Sequence, residues 1–180
     1  MRTCDHCGSP LELSRTDARF CSTKCRVYWH RLAGKLPAEL VSLPRWVRWD
    51  RILRKGKIAK VPLTVSATFA SSTDSSTWTD YPAAKASRVG AGLGFVLNGD
   101  GIGCFDLDHC IVGGKLTEAA ERFVGANPGF YSEISPSGEG LHIWVHADSQ
   151  PGWKRTLEGL SVEFYTRGRY MTITGTPFRR

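Results

Sequence analysis

Four short turns, each with a glycine, constrain this chain more than any other feature: KGK at 55–57, NGDG at 98–101, PSGEG at 136–140 and TRG at 166–168. Each separates two short runs rich in β-branched and aromatic residues: RWVRWDRIL and IAKVPLTV, GLGFVL and IGCFDLD, FYSEIS and LHIWVHA, SVEFY and RYMTITG. Asn-Gly and Asp-Gly favour the tight turns that match strand twist, so the pattern predicts four hairpins. One helix is expected between the second and third, over TEAAERFVGAN, with Thr117 as its cap and Ala120, Phe123 and Val124 on its apolar face. A Ser/Thr-rich loop, SATFASSTDSSTWTDY, leads to Asp80 near the start of a short helix through YPAAKAS. Runs of strands around one well-marked helix predict an α+β fold with a largely antiparallel sheet, and no internal repeat interrupts it.

The front of the chain has a different composition. Four of the six cysteines lie in the first 25 residues, as Cys4 and Cys7 in CDHC and Cys21 and Cys25 in CSTKC. Two pairs of thiolates at this spacing complete the tetrahedral sulfur shell that zinc prefers, and the Gly and Pro of CGSPL suit a tight knuckle. With four sulfurs available, His6 and His30 are not needed as ligands. The minimum role of such an ion is structural, because some 30 residues cannot build a core alone. Ser22 or Thr23 could cap a helix through KCRVYWHRLAGK, which would show Lys24, Arg26, His30 and Arg31 beside Tyr28 and Trp29, a mixture suited to single-stranded nucleic acid. LAGKLPAELVSLP then reads as a linker. The expected division is a zinc-binding module with a basic helix over 1–34, a linker over 35–43 and a main domain over 44–180.

Charge follows the same division. Residues 1–60 hold 14 Lys and Arg against 5 Asp and Glu, while residues 61–180 hold 10 against 12, within a formal net charge of +7. A basic front half points to a polyanion and a mildly acidic remainder to a site for cations, although a solvated basic surface would give the same count. No apolar run of about 18 residues is present and the N-terminus lacks a signal-peptide pattern, so a cytoplasmic protein with no membrane partner is expected.

Three polar sets fall on the predicted strands. In IGCFDLD, alternation puts Cys104, Asp106 and Asp108 on one face and Phe105 and Leu107 on the other. Two neighbouring carboxylates repel each other unless a cation lies between them, and Mg²⁺ or Mn²⁺ removes that cost. In SPSGEGLHIWV, the small residues Ser137, Gly138 and Gly140 form a turn whose backbone could approach an anion, and the strand after it presents His142, Trp144 and His146 on one face. In SVEFYTRGRY, Glu163 alternates with Val162 and Phe164, and Arg167 and Arg169 flank Gly168. Singly, these read as a turn, a satisfied histidine and an edge strand. Together they are what metal-dependent phosphoryl chemistry requires. Cys104 and Cys110 are read as small core or rim residues.

As a set, and in this order, FDLDHC, SPSGEGLHIW and VEFYTRGRYMTITG resemble the three motifs of the primase–polymerase (prim-pol) branch of the archaeo-eukaryotic primase superfamily. WVRWD, KGKIAKVP and ASSTDSSTW resemble the lead-in of its phage and plasmid members. The likeness runs over about residues 44 to 175. It implies an RRM-like catalytic core and a DNA primase/polymerase activity, DNA-template-directed nucleotidyl transfer with two metals. It also implies Mg²⁺ or Mn²⁺ on Asp106, Asp108 and Glu163, and nucleotide contacts from Ser137, Gly138, His142, Arg169 and Lys60. Zn²⁺ on the four N-terminal cysteines fits the zinc elements that members often carry. Single-stranded DNA template and nucleoside triphosphates are the implied partners. Because relatives commonly continue into a helical domain and a helicase, a separate replicative helicase is a further expected partner. The alternatives are a non-catalytic module that binds single-stranded DNA and a metal-dependent nuclease.

Overall fold

A computed structural model describes residues 4, 10–11, 15–32, 36–54 and 56–178, with the backbone alone for 28–32. In chain order the helices are α1 (Thr23–Leu32), α2 (Ala38–Val41), α3 (Tyr81–Ala86) and α4 (Glu118–Ala126). The strands are β1 (Trp46–Arg54), β2 (Lys57–Leu63), β3 (Gly92–Asn98), β4 (Ile102–Asp108), β5 (Ile111–Val112), β6 (Lys115–Leu116), β7 (Tyr131–Ile134), β8 (Leu141–His146), β9 (Trp153–Leu157), β10 (Leu160–Tyr165) and β11 (Arg167–Ile173). Among the described residues, none of the helices is long and apolar enough to cross a membrane.

The helix ends follow from local chemistry. The Thr117 side chain accepts a hydrogen bond from the Ala120 N–H and opens α4, Asp80 does the same for Ala83 in α3, and the Ser22 hydroxyl accepts from the Cys25 N–H at the start of α1. Each satisfies one of the orphan donors of a first turn, a contribution of about 1 kcal/mol.

Every strand pairing is antiparallel, as the turns require, and the α+β class holds. The strands form a four-stranded sheet in the order β11-β3-β1-β2, a five-stranded sheet in the order β7-β8-β4-β10-β9, and the ribbon β5-β6. Two of the four expected hairpins are present, β1–β2 and β7–β8. The other two are corrected. NGDG and TRG do not turn a strand back on its neighbour but carry the chain from one sheet to the other. Both edges of β3 are occupied, by β1 and β11, and both edges of β4, by β8 and β10, so β3 and β4 cannot pair with each other. The two crossings lie side by side, the Gly99 N–H donating to the Thr166 carbonyl at 2.8 Å. Arg45 holds the first crossing, with Nη1 bonded to Asn98 and, at 2.7 Å, to Asp100. A hairpin that was not expected, β9–β10, completes the five-stranded sheet through Trp153↔Phe164 to Leu157↔Leu160.

The five-stranded sheet is covered on both faces. On one, α4 sets Ala120 and Val124 among Leu107, Leu141, Ile143 and Val162, and Phe123 meets Phe105 edge to face at 5.2 Å. On the other, Ile102, Cys104 and Trp144 pack against Trp46, Phe95, Leu97, Met171 and Ile173 of the four-stranded sheet, with the Phe95 and Trp144 rings 5.6 Å apart. Burial of each such side chain stabilises by about 1.5–3 kcal/mol. Within the stretch that reads as a linker, Leu40 of α2 is fully buried in this second cluster and its carbonyl accepts from Trp46 Nε1 at 3.1 Å.

Candidate functional site

The second cluster fills only half of the face it covers. Along β4 the same face runs from Ile102 and Cys104, both buried, to Asp106, whose side chain is 23 % exposed, and to Asp108, which is exposed. Strand pairing decides what surrounds the aspartates. Asp106 lies directly opposite Glu163 of β10 on one side and His142 of β8 on the other. His142 in turn faces Glu133 of β7, and Glu163 faces Lys154 of β9. Directly opposed residues share a face, so one row of ionisable side chains crosses all five strands in the order Glu133, His142, Asp106, Glu163, Lys154. Asp108 is opposite Ser161.

The row is connected. His142 Nε2 is 3.6 Å from Asp106 Oδ1, and its Nδ1 is 3.3 Å from Glu133 Oε1. Lys154 Nζ is 2.6 Å from Glu163 Oε1, and the Tyr165 hydroxyl donates to Glu163 Oε2 at 2.7 Å. Arg169 of β11 reaches the same oxygen at 3.7 Å and lies over the Tyr165 ring, so the four-stranded sheet contributes a cation to the row.

Two of the carboxyls respond in opposite directions. Burial pushes the Asp106 carboxyl up; the charges of Asp108 and Glu163 add to this, while His142 and Lys60 oppose it. Burial also acts upward on Glu163, but the hydrogen bonds from Lys154 and Tyr165 and the charges of Lys154 and Arg169 outweigh it and hold the group below its ordinary value. Glu163 already has cations in attendance, whereas Asp106 sits among carboxylates that press a proton or another positive charge onto it. Carboxylates are the usual protein ligands of a hard divalent cation, and Asp106, Asp108 and Glu163 are the carboxylates of this face that could hold Mg²⁺ or Mn²⁺. Among the described residues, however, their oxygens do not form a group of three within 4.8 Å of one another, so the strand register brings them to one face without closing a shell.

The turn between β7 and β8 is closed on itself. Gly138 takes φ 82°, and its N–H donates to the Ser135 carbonyl at 2.9 Å. The Ser137 hydroxyl is 3.0 Å from that of Ser135 and accepts from the Glu139 N–H. Gly140 is needed for space, since a Cβ there would stand 2.6 Å from the Leu107 carbonyl oxygen of β4. Lys60 lies 5.8 Å from the Trp49 ring.

A second candidate site is in the N-terminal segment. The sulfurs of Cys4, Cys21 and Cys25 lie within 4.8 Å of one another, with Cys21 and Cys25 3.5 Å apart. Sulfurs around a tetrahedral zinc stand about 3.8 Å apart, so these three fit a metal shell. Cys7 lies outside the described residues, as do the side chains of Tyr28, Trp29, His30 and Arg31. No disulfide is formed by the five described cysteines.

The four-stranded sheet carries a basic surface. In the β1–β2 hairpin Arg51 faces Lys60, Leu53 faces Ile58 and Arg54 faces Lys57. All six are exposed, Leu53 and Ile58 by 70 % and 73 %, and Arg54 lies over the exposed ring of Phe69 at 5.0 Å.

Sequence reasoning missed Glu133 and Lys154. Glu133 carried no local signal, since alternation in FYSEIS sets it with Tyr131 and Ser135, opposite Phe130 and Ile134. Lys154 carried none, because WKRTL does not alternate in polarity.

No protein-family model matches the chain. The chain is similar to a protein named DNA primase-polymerase from Nitratiruptor phage NrS-1, 38 % identical over 153 residues, a match covering 80 % of this chain and 21 % of that protein. The chain thus spans about a fifth of the length of this relative.

Proposed function

We propose that the chain is the catalytic part of a primase–polymerase of the prim-pol branch, and that it joins nucleotides on a DNA template in phage or plasmid replication. The observation that carries this reading is the register that sets Asp106 opposite both Glu163 and His142, on the open half of a face whose other half is core. Similarity to a phage DNA primase-polymerase supports it. The five-stranded sheet, with α4 on one face and the carboxylates on the other, is the RRM-like platform of this reading.

In the reaction a primer 3′-hydroxyl gives up its proton to solvent water, and its oxygen forms a bond to the α-phosphorus of a nucleoside triphosphate. The bond from that phosphorus to the bridging oxygen breaks, and pyrophosphate leaves with the electron pair. Bound Mg²⁺ or Mn²⁺ ions supply Lewis acidity to the hydroxyl and neutralise charge on the phosphates. Asp106, Asp108 and Glu163 would hold those ions, and Lys154, bonded to Glu163 at 2.6 Å, is the cation that an ion there would replace. His142 directs Nε2 at a phosphate oxygen. Ser137 hydrogen-bonds the triphosphate tail, and Gly138 keeps the turn free of a side chain where the tail passes. Arg169 and Lys60 add positive charge around the triphosphate.

Template is gripped by the β1–β2 hairpin. Arg51, Arg54 and Lys57 meet phosphates, and Leu53, Ile58 and Phe69 meet bases, a combination that suits single strands. Zinc held by Cys4, Cys7, Cys21 and Cys25 ties the front segment together. A replicative helicase as partner and a cytoplasmic location complete the reading.

The test is extension of a labelled primer on single-stranded template with Mn²⁺ and both nucleotide pools. Extension by the wild type and none by Asp106→Ala/Asp108→Ala is expected. A gel shift without extension supports a binding module instead, and shortening of the primer supports a nuclease.

A further inference from the structure

The β1–β2 hairpin outgrows the sheet that bears it. β3 pairs with β1 only from Trp46 to Trp49, whereas β2 stays paired with β1 as far as Arg54. Among the described residues, positions 51–54 and 57–60 pair only with each other, as a two-stranded ribbon. At about 3.3 Å per residue, the ribbon runs roughly 17 Å along the strand beyond Trp49. Its turn places Gly56 at φ 75°, where a Cβ would meet nothing within 4 Å, so the tip stands in open space.

Two features set this ribbon apart from a plain surface hairpin. Leu53 and Ile58 are direct cross-strand partners, 70 % and 73 % exposed. A two-stranded ribbon is marginal in water and gains nothing from an apolar pair left in solvent, so the pair reads as a contact surface. Cations also occupy both faces. Alternation sets Arg51 on the face of Leu53 and Ile58, and Arg54 and Lys57 on the other, where Arg54 lies over the Phe69 ring. Grip on one strand needs only one basic groove with flat rings on which bases stack. Cations on two faces answer instead to two phosphate backbones, and branched aliphatic side chains are of the kind that enter between bases and unstack them.

We infer that the tip of the β1–β2 hairpin is a wedge that parts duplex DNA ahead of the primer end. Leu53 and Ile58 press into the first base pair of that duplex, while Arg51 on one face and Arg54 and Lys57 on the other hold the two strands as they separate. No covalent bond changes: the stacking and hydrogen bonds of a base pair are exchanged for apolar contacts and ion pairs with the ribbon. The wedge adds an activity, opening of duplex in front of synthesis, and it rests on the template grip proposed above.

The test uses a primed template that carries a downstream blocking strand, with 2-aminopurine, a base whose fluorescence rises on unstacking, at the first base pair of the downstream duplex. The full chain is added without nucleotide or Mn²⁺, up to saturation judged by the anisotropy of a dye on the same DNA, so that affinity does not enter the reading. Expected are a rise in 2-aminopurine fluorescence with the wild type, loss of that rise in Leu53→Ser/Ile58→Ser, and no rise when the probe lies deep within the duplex. The wild-type measurement stands even where the variant does not fold. A saturated wild type without a rise, or an equal rise in the folded variant, overturns the wedge and leaves the template grip in place. An equal rise from the deep probe also overturns it, since the strands are then trapped apart along their length and not parted at the tip. A wild type that binds neither this DNA nor a single strand overturns the template grip and, with it, the wedge.

Discussion

The two halves of one face of β4 do opposite work with the same backbone. Ile102 and Cys104 are buried in one cluster with Phe95, Trp46 and Trp144, while Asp106 and Asp108, two residues apart on the same side, stand opposite His142, Glu163 and Ser161. The first half stabilises the fold by removing apolar area from water. The second half partly buries the Asp106 carboxyl near the charges of Asp108 and Glu163, which costs stability. The comparison shows how a short strand can build a site: one end is anchored by core on both faces, and the other can then hold carboxylates that a free strand end would splay apart.

The largest effect should come from the polar half. Asp106→Ala/Asp108→Ala is expected to lower primer extension by about a thousandfold or more, the equivalent of several kcal/mol of transition-state charge stabilisation, with no loss of melting temperature. Steady-state extension rates beside a thermal melt measure both. The apolar half should behave in reverse. Phe95→Ala or Trp144→Ala is expected to cost about 3–5 kcal/mol of stability, read from denaturant unfolding, with activity following the folded fraction.

A smaller effect distinguishes the two halves by sign. Burial holds the folded-state carboxyl of Asp106 above its unfolded value. Its contribution to stability is therefore fully present below the unfolded value and is lost as pH rises through the folded one. In chelator at neutral pH, Asp106→Asn should raise the melting temperature by roughly 2–4 °C, an advantage that disappears on acidification and in the presence of Mn²⁺. A melt series across pH with EDTA and with Mn²⁺ checks this. The smallest effect concerns the exposed lysine that occupies Glu163. Lys154→Ala should leave the melt unchanged and tighten Mn²⁺ binding a few-fold, because a competing cation is gone.

Some of this was legible in the residues alone. The period of two puts Asp106 and Asp108 on one face whatever they pair with, and Thr117 and Asp80 mark their helices by side-chain chemistry confined to one turn. Register is another matter. That Glu163 stands opposite Asp106 depends on pairing between strands more than 50 residues apart, and nothing local encodes it. NGDG misled for the same reason: a turn signal reports how the backbone bends, not which edges of the flanking strands are already taken. Arg45 shows the difference, since its bonds to Asn98 and Asp100 join positions that the sequence separates by three strands, a long loop and a helix. Glu133 was overlooked because a single strand carboxylate looks like an exposed edge residue until Thr174 and Gly175 fold over it.

The central claim is that Asp106, Asp108 and Glu163 share divalent ions, and the most direct measurement is anomalous diffraction from crystals grown with Mn²⁺ and a nucleoside triphosphate. Manganese peaks about 2.1–2.3 Å from oxygens of all three carboxylates, with Lys154 displaced from Glu163, are predicted. Lys154 still bonded to Glu163, with no manganese between that residue and the aspartates, would contradict the account.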